Sequence, residues 1–101
     1  MKLVMVTAVH DFQKDVLDLF KKANIESFSS SDIDGHKNVS SVLRTSNWFS
    51  SLKGGAESCL FFSFTEEENI DSLFDLIITF NENLETNNPV RAIVLPIEKY
   101  I

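Results

Sequence analysis

The sequence predicts an α+β sandwich of order βαββαβ, an antiparallel four-stranded sheet with two helices on one face. Three observations predict it. Met1–Asp34 and Ser58–Ile101 each read as strand, helix, strand, because the apolar residues switch from strand-like to helix-like spacing and back. The stretch between them, Gly35–Glu57 (GHKNVSSVLRTSNWFSSLKGGAE), keeps neither spacing and reads as one long loop between the second and third strands. Loops of that length are uncommon in compact domains and are usually functional or disordered. Finally, 101 residues that are 44% apolar, with nine Phe, suffice for a single domain, 1–101, with a small core.

Each element has its own warrant. Lys2–Val9 (KLVMVTAV) is a nearly continuous apolar run and reads as a central strand buried on both faces. Asp11 is placed to cap the next helix, whose apolar stripe is Phe12, Val16, Leu17 and Phe20. Asn24 suits the left-handed position that ends a helix, and Ile25 then closes over the last turn. Glu26–Asp34 is polar apart from Phe28 and Ile33, as expected of an edge strand anchored by Phe28. Asp32 and Asp34 share one face of it.

In the second half, Cys59–Phe64 (CLFFSF) alternates Leu60, Phe62 and Phe64 against Cys59 and Phe61. Thr65 and Glu68 have capping-box spacing, and Glu66, Glu67 and Glu68 suit the positive end of a helix dipole. That helix runs to about Leu84, with Ile70, Leu73, Phe74, Ile77, Phe80 and Leu84 as its stripe. Asn87–Asn88–Pro89 turns the chain into the last strand, Val90–Ile97, where Pro96 belongs at an edge or an end. The order is that of the ferredoxin-like split βαβ unit. The first, third and fourth strands are apolar on both parities. Helices on one face would leave the other face as an apolar patch, so a homo-oligomer with packed sheets is expected.

Composition excludes several classes. A formal net charge of −6 and a pI near 4.7 disfavour nucleic-acid binding, which needs clustered Lys and Arg. Met1–Val9 is too short to span a membrane, and no signal-peptide pattern follows it. Cys59 is the only Cys, which points to a reducing cytoplasm. No motif spells out a catalytic mechanism.

Two segments carry a resemblance. HDFQKDVLDLFKKANIESFSSSDIDGHK follows the first strand as helix, tight turn, strand and Gly, and VRAIVLPIEKYI closes the chain as a hydrophobic strand followed by Pro, an aliphatic residue and Glu. In these the chain resembles the PII-like signalling proteins of the nitrogen regulatory PII superfamily. Asn47–Trp48–Phe49 and the Phe-rich third strand resemble the short PII-like proteins encoded beside metal-efflux transporters. The resemblance implies a non-enzymatic regulatory protein, a cytoplasmic homotrimer that senses a small ligand or a metal ion in clefts between subunits. It also implies that a T-loop, here 35–57, docks on a partner such as a membrane transporter. Gly35 falls at the T-loop base and Arg91 where the family carries a phosphate-binding Lys. Gly35, His36, Lys37 and Arg91 are thus the expected ligand contacts, and Trp48 and Phe49 the expected partner contacts.

The departures are specific. Glu85–Thr86–Asn87–Asn88–Pro89 stands where the family has a Gly-rich, Lys-containing phosphate loop, and without Gly the backbone approaches a phosphate less readily. The chain stops at Ile101, where PII proteins continue into a basic tail, and Tyr100 is the only Tyr. These features argue against ATP and 2-oxoglutarate sensing and leave the ligand's identity open.

Other candidates weigh less. His10, at a strand–helix junction, could bind metal with His36, Cys59 or a carboxylate, but no HxxxH or CxxC spacing accompanies it. Cys59 reads as a small hydrophobe, Asp32 and Asp34 as a solvated edge, and Lys53–Gly54–Gly55 as a hinge rather than a P-loop. Rival readings are a CutA-type trimeric metal-tolerance protein and an oligomeric scaffold without a ligand. An acylphosphatase-like enzyme would need an anion loop and an Arg that Thr7–Asp11 lacks.

Overall fold

The computed structural model describes residues 1–36, 56–85 and 87–101. Four strands, β1 (Lys2–Val9), β2 (Ser29–Gly35), β3 (Ala56–Thr65) and β4 (Arg91–Pro96), form one antiparallel sheet of order β2-β3-β1-β4. Helices α1 (Gln13–Lys22) and α2 (Glu67–Glu82) follow β1 and β3. The predicted α+β class and βαββαβ order therefore hold. β1 is interior and the polar β2 is an edge.

The core lies between the helices and one face of the sheet. Val4, Val6, Ala8, Cys59 and Phe61 are buried against Val16, Leu19, Phe20, Ala23, Ile70, Leu73 and Ile77. Phe28 is the anchor its sequence position suggests, with its ring centroid 4.7 Å from that of Phe20 and 6.4 Å from that of Phe61. The opposite face carries Leu3, Met5, Leu60, Phe62, Ile93 and Leu95, which cross-strand register places side by side. Phe64 on that face is 56% exposed and Leu95 41%, so the expected apolar patch exists on the single chain.

Local expectations are corrected at several points. Asp11 caps nothing: β1 passes directly into a 3-10 turn, His10–Phe12, and neither that turn nor α1 has a side-chain cap. This start sets the phase of α1, so its buried side chains are Val16, Leu19 and Phe20. Leu17 is displaced to the margin, 37% exposed. Thr65 is not a helix cap, because it stays in the ladder opposite Lys2; Glu66 takes the N-cap position and its carbonyl accepts from the Asn69 and Ile70 N–H groups. β2 starts at Ser29 rather than Glu26. β3 is longer than expected at both ends, and β4 is trimmed to Arg91–Pro96. Gly35 and Glu57, read as loop, are strand residues.

Asn24 behaves as its residue type suggests. Its φ is 60°, and the Asn24 and Ile25 N–H groups donate to the carbonyls of Lys21 and Phe20, both at 3.0 Å. These two bonds close the helix end as a Schellman motif. At the other connection, the Asn81 side chain both donates to the Val90 carbonyl and accepts from the Val90 N–H, each at 2.9 Å, which fixes the start of β4.

Candidate functional site

The site follows from unequal strand lengths. β1 ends at Val9, opposite Ser58, whereas β2 and β3 continue pairing through Asp34–Glu57 and Gly35–Ala56. Beyond β1, no third strand lies beside the overhanging ribbon among the described residues. The polar residues there, together with His10 just past β1, line a cavity of about 350 Å³ bounded by His10, Asp32, Ile33, Asp34, Glu57 and Ser58. Asp34 and Glu57 stand directly opposite each other, and like charges so placed oppose pairing. They give the cavity a negative rim at the base of the connection between β2 and β3.

A chemically distinct group adjoins this lining. Asp32 pairs with Cys59 in the ladder, so both side chains lie on the helix-side face. The buried Cys59 thiol donates to Asp32 Oδ1 at 3.8 Å, and His10 Nε2 lies 3.8 Å from the same oxygen. Burial, the Asp32 charge and that hydrogen bond, in that order, hold the Cys59 thiol above its ordinary pKa of 9.0. The ligating atoms of His10, Asp32 and Cys59 all lie within 4.8 Å of one another.

The sequence-predicted residues divide between two places. Gly35 is buried at the end of β2 and His36 is exposed just after it. Arg91 opens β4 at the same end of the sheet but on the opposite edge, opposite Thr7. Three strand spacings separate those edges, about 14 Å. Arg91 borders a smaller groove of about 180 Å³ with Phe74, Ile77, Asn81 and Val90. Lys37, Trp48, Phe49 and the Lys53–Gly54–Gly55 segment lie outside the described residues.

Of the weaker candidates, His10 meets Cys59 and a carboxylate, as its position allowed, and His36 is not in that group among the described residues. Cys59 is buried like a small hydrophobe, yet its sulfur faces Asp32. Joining Asp32 to Cys59, and adding Glu57 to the cavity, required the β2–β3 register. The two-residue alternation of both strands carried the parity but not the offset.

A four-stranded antiparallel sheet covered on one face by two helices, with a long connection between β2 and β3, is the fold of the PII-like proteins. Three solved structures show it. The nitrogen regulatory PII-like protein CPII from Thiomonas intermedia K12, bound to ADP, AMP and bicarbonate, superposes with a TM-score of 0.62 at 13% identity, covering 99% of this chain and 94% of that one. A DUF3240-family protein from Shewanella baltica gives 0.64 at 21% identity, covering 98% and 91%. A protein from Thermus thermophilus named for PII-like signalling gives 0.61 at 15% identity, covering 92% and 82%. No family model matches the chain, and no curated protein matches it.

Proposed function

We propose that this chain is a non-enzymatic regulatory protein of the PII-like type, one domain over residues 1–101, acting as a cytoplasmic homotrimer. A small ligand binds in clefts between subunits, and the connection between β2 and β3 carries the signal to a partner such as a membrane transporter. The observation that carries this reading is the position of Gly35–His36 and Arg91 at one end of the sheet but on opposite edges. One chain cannot close a small ligand between groups separated by about 14 Å across the sheet and by four further residues, about 13 Å, along it, whereas the edge of a second subunit can complete the pair. The apolar sheet face supports association. No described helix is long and apolar enough to cross a membrane.

Adenine nucleotides are the first ligands to test, since the Thiomonas protein holds ADP and AMP. Lys37 and Arg91 are the expected anion contacts, with Gly35 and His36 at the cleft floor. Trp48 and Phe49 would meet the partner. Calorimetry with ADP should show binding that weakens about tenfold or more in Arg91→Ala, the loss expected of a charge-assisted hydrogen bond. Equal affinity in the variant would remove Arg91 from the site.

A further inference from the structure

The geometry points to a metal site that is independent of the regulatory reading: we infer that His10 Nε2, Asp32 Oδ1 and Cys59 Sγ are three protein ligands for a zinc-class divalent cation. The three donors come from three elements, the turn after β1, β2 and β3, and they cluster where His10 and Asp32 line the cavity, with the buried Cys59 behind them. Two of their separations are 3.8 Å and all are within 4.8 Å. Metal–ligand bonds of about 2.0–2.3 Å give tetrahedral edges of about 3.3–3.8 Å, so small side-chain rotations bring the set to bonding distance.

The donor chemistry selects the ion. Thiolate and imidazole favour zinc and its neighbours over magnesium or calcium, which take oxygen ligands. On binding, Cys59 releases its proton to solvent, and one thiolate with one carboxylate neutralises a divalent cation beside a neutral imidazole. Two of the three ligands, His10 and Asp32, line the cavity, so water or an incoming ligand has room to supply a fourth donor from that side. Asp34 and Glu57 at the rim add negative potential that attracts the cation. Exposed carboxylates alone would carry no such inference. Here a buried sulfur and an imidazole share a single carboxylate oxygen.

The test is titration of the reduced full chain with Co²⁺, followed by displacement with Zn²⁺. The expected result is one Co²⁺ per chain with a thiolate-to-cobalt charge-transfer band that Zn²⁺ abolishes. Cys59→Ser should lose the band, and His10→Gln and Asp32→Asn should each weaken binding about tenfold or more. His10 and Asp32 are exposed, so those two variants keep the test decisive if Cys59→Ser fails to fold. Absence of the band in the unmodified chain, or affinity unchanged in both exposed-site variants, would overturn the site and leave the trio a hydrogen-bonded corner. Neither outcome depends on trimer formation or nucleotide binding.

Discussion

At the scale of single residues, Cys59 shows how burial and a neighbour combine. Its thiol pKa is raised in the fold, by burial first and by Asp32 second. A raised pKa means the folded state holds its proton more tightly than the unfolded state. The stability this contributes is complete below the unfolded value and is lost as pH rises through the folded one. Denaturant unfolding as the pH rises through and above the thiol's ordinary value of 9.0 should therefore show a steeper loss of stability in the unmodified chain than in Cys59→Ala. Parallel pH profiles would mean that the thiol titrates alike in both states. Asn81 supplies a second case. Replacing it with Ala strips both partners from the Val90 backbone and should cost about 1–3 kcal/mol in urea unfolding. Little of this was legible in the linear order. Asp32 and Cys59 are 27 residues apart. Asn81 reads as a polar helix residue until its reach to Val90 is seen.

Elements were more legible than their ends. The alternation in Cys59–Phe64 correctly separated its two faces, since Cys59 and Phe61 are buried while Phe64 is exposed. The Asn24 stop was readable because few residue types tolerate a φ of 60°. Asn24→Gly should leave stability near its present value, whereas Asn24→Val should cost about 1–2 kcal/mol, measured by thermal or urea unfolding. Helix starts were misread for one physical reason. Asp11 and Thr65 have the right side chains for caps, but a 3-10 turn and a strand pairing had prior claim on their backbone. Strand ends were misread because β2 and β3 pair through Gly35 and Ala56, and local composition does not reveal a ladder contributed by a distant partner.

For the whole molecule, the βαββαβ order and the two-sided apolar strands were sufficient to anticipate the sheet, the edge position of β2 and the open hydrophobic face. The site was less legible, because its parts meet only through topology: Gly35 and Arg91 occupy opposite edges, and His10 reaches Asp32 only because β1 stops short of the β2–β3 ribbon. On the trimeric reading, the open face belongs to the assembly. Phe64→Lys should shift the particle mass toward the monomer in light scattering without unfolding the chain, since Phe64 is already 56% exposed in a single subunit.

The most direct measurement is native mass spectrometry of the purified chain, alone and with ADP. A trimer that takes up to three nucleotides, with uptake reduced in Arg91→Ala, is the predicted result. A monomer, or a trimer whose ADP uptake is indifferent to Arg91, would contradict a ligand site completed between subunits.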